Sequence, residues 1–259
     1  MAEVKRGYVD ASIGQVHYRF AGKGKALLLL HAHPSSSHFY EPVMRVLGDA
    51  YYVVAPDLPG FGMSAYPPRQ PTVPEYAGVV LELLDALKVT RTSIFGSHTG
   101  SAVACEIAAS APKRVEKVIL SGPPCYDAQE RRAWLAKAQG MVLKEDGSHL
   151  TTIWERMAHH NFDLEGRHEE LVWRLKAGPR HIEAYKAVFN YDMPARLKLV
   201  QAPALVMAGE HDSLRGPVEY TARLIKDART KVIPGAGMMM AYQDPAGTAR
   251  IIRDFLEGR

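Results

Sequence analysis

Apolar positions along the chain alternate between two rhythms. A continuous apolar run occupies residues 26–30 (Ala26-Leu27-Leu28-Leu29-Leu30), and short strand-length segments recur at 51–55, 92–95, 115–120 and 204–208. Such runs have the length and composition of strands buried on both faces of a parallel sheet. A weaker strand pattern closes the series at Lys231-Val232-Ile233, and residues 8–13 and 15–20, separated by Gly14, predict a β-hairpin at the start. Between the runs, apolar residues take helical spacing: residues 39–47, 74–87 (with Val79, Val80, Leu83, Leu84 and Leu87), 217–225 and 245–256. From residue 123 to about 197 the buried-strand rhythm stops. Helical segments rich in aromatic and charged residues take its place, among them Trp134, Trp154, Trp173, Tyr185 and Phe189. The pattern predicts an α/β fold, a mainly parallel eight-stranded sheet with helices on both faces. Its core would comprise residues 1–122 and 198–259, interrupted after the sixth strand by a helical insertion, 123–197.

One joint between rhythms is unusual. The run ending at Phe95 leads into Gly96-Ser97-His98-Thr99-Gly100, and the small residues from Ser101 to Ala109 then open a helix. Two glycines flanking a single reactive side chain at a strand-to-helix joint allow a turn sharp enough to lift that side chain above the sheet. The lifted residue here is His98. Ligand sites of parallel sheets lie at the carboxyl ends of the strands, and this joint lies at such an end.

Composition adds mainly exclusions. The 259 residues are 47% hydrophobic and 23% charged, ordinary for a globular protein, and the net charge of +4 is spread among mixed signs rather than gathered into a nucleic-acid-binding patch. The two cysteines, Cys105 and Cys125, offer no disulfide framework, and Cys105 reads as a small buried apolar residue. No apolar run approaches membrane-spanning length and the first residues are not those of a signal peptide, so a cytoplasmic protein without membrane or nucleic-acid partners is expected. The oligomeric state is left open.

The order of motifs resembles the α/β-hydrolase superfamily, in its capped and cofactor-free form, over essentially the whole chain. The matching segments are Leu30-His31-Ala32-His33-Pro34, the run Pro56-Asp57-Leu58-Pro59-Gly60-Phe61-Gly62-Met63-Ser64, the joint at His98, Ala208-Gly209-Glu210-His211-Asp212, and Val232-Ile233-Pro234-Gly235-Ala236-Gly237-Met238 followed by Asp244-Pro245. The resemblance implies a nucleophile, an acid and a histidine in that chain order. The acid falls on Asp212. The nucleophile falls on His98 and the histidine on Met238, so two of the three positions depart from the pattern. Ser97 and Ser101 have the wrong spacing to the glycines to replace His98. The resemblance also places two oxyanion-binding backbone donors at His33 and Thr99, with Ala32 where the family commonly has glycine.

Acyl transfer through a serine needs an imidazole to take its proton, and a methionine thioether has no proton to exchange. The departures therefore point away from an acyl-serine mechanism. His98 admits three readings: a general acid/base titrating near neutral pH and kept neutral by apolar neighbours such as Met238 and Phe61, a polar contact that orients a ligand, or a relic without a role. Asp212 is either a working acid or a structural remnant. His31 is read as a brace for its loop, His33 and His38 as lining the pocket mouth, His211 and the His159-His160 pair as surface residues, and Asp57 as organising its own turn. A metal held by His33, His98 and Asp212 has no supporting spacing motif, and no cofactor is expected. The insertion would act as a cap, with Trp134 and Trp154 offered to an apolar or aromatic substrate.

Three functions follow. The first is an enzyme acting on a small, largely apolar carbonyl compound by acid/base chemistry at His98, of lyase, decarboxylase, isomerase or cyclase type. The second is a hydrolase using His98 as nucleophile or as a base on water. The third is a non-catalytic receptor using the capped pocket.

Overall fold

The computed structural model describes residues 1–158 and 162–259; the His159-His160 pair lies outside the described residues. Eight strands form one sheet in the order β1-β2-β4-β3-β5-β6-β7-β8: β1 Lys5–Ala11, β2 Gly14–Ala21, β3 Lys25–Leu30, β4 Tyr51–Pro56, β5 Thr92–Ser97, β6 Val115–Ser121, β7 Ala204–Gly209 and β8 Ala228–Ile233. β1 pairs antiparallel with β2 and β2 antiparallel with β4, and every other pairing is parallel.

The unbroken apolar strands have the expected cause. Leu27 to Leu30 of β3 are all 0% exposed. Successive side chains point to opposite faces, so Leu28 and Leu30 enter one hydrophobic core and Leu27 and Leu29 the other. The first core is covered by α2 (Val73–Ala86) and α3 (Thr99–Ser110), the second by α1 (Glu41–Leu47) and α11 (Pro245–Glu257). β8 begins three residues before its apolar signal at Lys231. It is the edge strand, and its exposed Arg229, Thr230 and Lys231 protect an open edge from further pairing while masking the strand pattern.

Between β6 and β7 the elements are all helical among the described residues: α4 Ala128–Ala136, α5 Ser148–Met157, α6 Leu164–Ala177, α7 Ile182–Asn190 and α8 Met193–Leu197. A capping box starts α4, with the Asp127 carboxylate accepting from the Gln129 and Glu130 amides. Two buried carboxylates tie these helices to the rest. Glu170 of α6 accepts from the Ser35 hydroxyl at 2.9 Å and from Arg174 Nε at 2.8 Å, and it lies 3.3 Å from His38 Nε2. Glu106 of α3 accepts from the Tyr191 hydroxyl at 2.7 Å and from Arg196 Nε and Nη2 at 2.8 and 2.9 Å. α9 (Val218–Arg223) and the short α10 (Met240–Gln243) complete the helices.

Removing one partner of a buried ionic cluster leaves the others uncompensated. Glu170→Ala is therefore expected to lower the unfolding free energy by about 3 kcal/mol, and Ser35→Ala, which removes one neutral hydrogen bond, by about 1 kcal/mol. Urea titration of the three proteins checks both the values and their order.

Candidate active site

The joint between β5 and α3 takes the sharp turn its glycines allow. A Cβ on Gly96 would stand 2.3 Å from the Gly100 carbonyl oxygen, and one on Gly100 would stand 2.0 Å from that of Leu30. Only glycine fits at either place. His98 between them sits at φ +50°, ψ −110°, a conformation rare for a residue with a side chain. Its amide donates to the Ser121 carbonyl at 2.8 Å, and its own carbonyl accepts from the Ser101 hydroxyl and amide at 2.6 and 2.9 Å.

The ring of His98 meets the acid directly. Nε2 lies 3.0 Å from both carboxylate oxygens of Asp212, whose side chain is 0% exposed and also accepts from the Leu214 amide at 2.8 Å. A carboxylate facing Nε2 accepts a hydrogen bond and so holds the ring proton on Nε2, and the neutral imidazole keeps its lone pair on Nδ1. Gly122, just past β6 at φ +56°, makes room for this contact: a Cβ there would lie 2.6 Å from Cδ2 and Nε2 of His98 and 2.9 Å from Asp212 Oδ2. The Cδ2–Nε2 edge thus packs on Gly122, and the Nδ1 edge faces the other way.

His33 clamps the loop after β3 to the start of α3. Its Nδ1 is 2.6 Å from the Thr99 hydroxyl, and its ring stacks on His181 and meets Tyr185 edge-on, with centroids 6.4 and 5.7 Å apart. Burial, then the neighbouring His181 ring and the Arg174 guanidinium, which disfavour a second charge there, hold its pKa down at about 3. Burial likewise lowers His31 and His181. Among the described residues the His33 amide has no acceptor, and Thr99, first residue of α3, has an N–H beyond the helix's own hydrogen bonds.

The remaining sequence candidates separate. Ala32, His33, Ser97 and Met238 line one narrow crevice. Phe61 packs edge-on against His31, 5.7 Å between centroids, so the neighbour bonded to the His98 ring is a carboxylate and not the apolar shell expected from Phe61 and Met238. Trp134 stacks on Phe189 at 5.4 Å within an aromatic wall that continues through Tyr185 to His33. Trp154 lies beneath the Arg167 guanidinium, 4.0 Å from its ring, and no described contact joins it to His98 or His33. His31 does brace its loop: Nε2 accepts from the Leu58 amide and Nδ1 donates to the Ala32 carbonyl, each at 2.9 Å. His38 is not at a pocket mouth; it is buried between Ser36 and Glu170, stacked on Trp173 at 4.9 Å. Asp57 does more than shape its turn, accepting from the Ser37 and Met63 amides and pairing with His17 of β2 at 2.8 Å. His211 is exposed. Among the described residues no group of three or more His, Cys, Asp or Glu could hold a metal ion, and no helix is long and apolar enough to cross a membrane.

Sequence reasoning missed Gly122, Glu170, Arg174 and His181. Glu170 and Arg174 had a signal, opposite charges one helical turn apart, which normally marks a solvated face. Gly122 and His181 had none.

Three histidines, His31 buried and His33 and His181 partly buried, favour the neutral form and make stability depend on pH. Their folded pKa values lie below the ordinary value near 6.5, so the unfolded chain binds more protons below that pH, and stability falls as pH drops from 6.5 toward 3. Each site contributes a slope of up to about 1.4 kcal/mol per pH unit. His33→Gln is expected to flatten the decline between pH 6 and pH 5 by up to that amount, as measured by denaturant unfolding across the range.

Comparison with known proteins agrees with this architecture. Residues 25–245 match the family model described as alpha/beta hydrolase fold. A 2-hydroxy-6-oxo-6-phenylhexa-2,4-dienoate hydrolase of Comamonas testosteroni is 26% identical over 96% of this chain and 94% of that protein. A haloalkane dehalogenase 2 of Mycobacterium tuberculosis is 33% identical over 44% of this chain and 40% of its own. Among solved structures, an enol-lactonase from Burkholderia xenovorans superimposes with a TM-score of 0.83 at 20% identity, covering 97% of this chain and 100% of that one. The eight-stranded sheet, the glycine-flanked joint at His98 and a match spanning residues 25–245 lead to one assignment: the chain belongs to the α/β hydrolase fold family.

Proposed function

We propose that this chain hydrolyses a small carbonyl compound with the His98–Asp212 pair as its acid/base machinery, in place of a serine–histidine–acid triad. The observation that carries the reading is the 3.0 Å approach of His98 Nε2 to both oxygens of Asp212. Asp212 fixes the tautomer, leaving Nδ1 as the base. Nδ1 takes a proton from a water molecule as that water attacks the carbonyl carbon. The imidazolium so formed is stabilised by the Asp212 carboxylate, and the tetrahedral oxyanion by the N–H groups of His33 and Thr99. The proton then passes from Nδ1 to the leaving group.

Hydrolysis is preferred to the lyase and isomerase classes because the matched relatives are named hydrolases and a dehalogenase and the structural neighbour a lactonase. Met238, at the position where a histidine would be expected, then needs no proton-transfer role. Residues 123–197 serve as a cap over the site, with the Trp134–Phe189–Tyr185 wall against a largely apolar substrate body. Closing off water strengthens the charge interactions beneath it.

A panel of small aryl esters and enol lactones provides the test. His98→Ala is expected to lower kcat/KM at least ~100-fold, the low end for a positioned acid/base, and the wild-type product should carry one oxygen from 18O-labelled water with no adduct on His98. Deuterium from D2O appearing on product carbon instead would assign a proton-abstraction reaction, and turnover unchanged in His98→Ala would overturn the proposal. Gly122→Ala should be nearly as inactive as His98→Ala, because its methyl takes the space of the His98 ring edge, while its left-handed φ adds a stability loss of about 1–2 kcal/mol.

A further inference from the structure

A half-open cleft lies beyond His33, within the helical insertion. It is a cavity of about 380 Å³ between the α4–α5 connection, α5, α6 and the turn before α7, and it reaches the core at Pro34. Its charged and titratable lining is one-sided: Lys144, His149, Arg156, Arg174 and His181, with no aspartate or glutamate. Met141, Val142, Ile153 and Met157 supply an apolar remainder. Arg174 also lines the narrow crevice beside His33, and His181 stacks on His33 itself, so the two spaces are neighbours.

Only part of the positive charge there is answered among the described residues. Among the described residues neither Lys144 nor Arg156 has an ion-pair partner, and Glu170 takes only the Nε of Arg174. His149 Nδ1 accepts the Lys144 amide at 3.2 Å, so its proton sits on Nε2, available as a donor. His181, also in the lining, has a buried Nδ1 with no hydrogen-bond partner among the described residues. Buried polar atoms are nearly always satisfied, so this nitrogen is an exception beside the cleft. Converging cations with unused donors, beside apolar walls, suit an anion carried on an apolar body.

We infer that this cavity is an anion-binding subsite, and that the substrate is an organic acid whose carboxylate or phosphate sits among Lys144, Arg156, Arg174 and His181 while its reacting carbonyl reaches His98. The assignment rests on reading this cleft as part of the substrate site of the proposed function. It is tested by binding alone, so a failure of the His98 mechanism would leave it standing. Calorimetric titration with benzoate, phenyl phosphate and the uncharged benzamide is the experiment, on wild type, K144Q/R156Q and H98A. At least one anion should bind at least ~10-fold more tightly than benzamide, and the tighter of the two names the head group. K144Q/R156Q, both on exposed side chains, should melt like wild type yet lose at least ~10-fold of that affinity. H98A should keep it. Equal binding of benzamide, unchanged affinity in K144Q/R156Q, or loss of binding in H98A would each overturn the inference.

Discussion

The approach of α3 to the carboxyl end of β3 governs the rest of the site. At Gly100 the helix backbone comes so close to the Leu30 carbonyl that a single methyl group would stand 2.0 Å from it, and Gly96 is crowded in the same way by Gly100. Only this closeness forces the chain to reverse within one residue, and that residue, His98, bears the strain at φ +50°. The strained backbone points the ring across the sheet edge toward the loop after β7. There Asp212, held by the Leu214 amide, receives it. Gly122 is the third empty Cβ on this path. Three glycines, on β5, on α3 and just past β6, thus shape the space in which one imidazole and one carboxylate meet.

The helical insertion is attached to this core by charge as well as by apolar packing. Glu170 and Glu106 are nearly inaccessible: Glu170, on the insertion, is bonded by Ser35 of the core and Arg174 of its own helix, and Glu106, on the core, by Tyr191 and Arg196 of the insertion. A buried carboxylate with such partners is costly to expose, so it fixes the position of α6 and α8 more specifically than greasy contacts would. Arg174 carries that fixation to the site: the guanidinium held by Glu170 also lines the crevice beside His33. The same anchoring that seats the insertion therefore places positive charge near the chemistry.

What the sequence revealed follows from the range over which each signal acts. The β3 run Leu27 to Leu30 and the joint at Gly96 to Gly100 are local patterns with a single structural meaning, and both were legible. β8 was cut short because an edge strand carries Arg229, Thr230 and Lys231 outward, which reads as loop. His38 was misplaced for a different reason. Its partner Glu170 lies 132 positions further along the chain and belongs to another layer, so nothing near it in sequence signalled burial. Gly122 shows the limit most clearly. A lone glycine after a strand has many uses, and this one became specific only when the His98 ring was found where its side chain would be.

The two departures from the expected triad can be understood as one change. A serine at the joint is short and needs an imidazole from another loop to bridge the gap to the acid. A histidine at the joint is long enough to reach the acid itself, and here it does so through Nε2 at 3.0 Å. On the proposed reading the bridge is then built into the elbow residue, and the position after Gly237 is released from proton transfer. Met238 lines the crevice instead, where an adaptable apolar side chain suits a substrate wall. The exchange gives up the covalent oxygen nucleophile and keeps the base, its orienting acid and the backbone donors, the set that activating a water requires. Such a base works in one orientation only, with Nε2 toward the acid and Nδ1 toward the substrate. An active site of this design depends on Gly122 as much as on either titrating group.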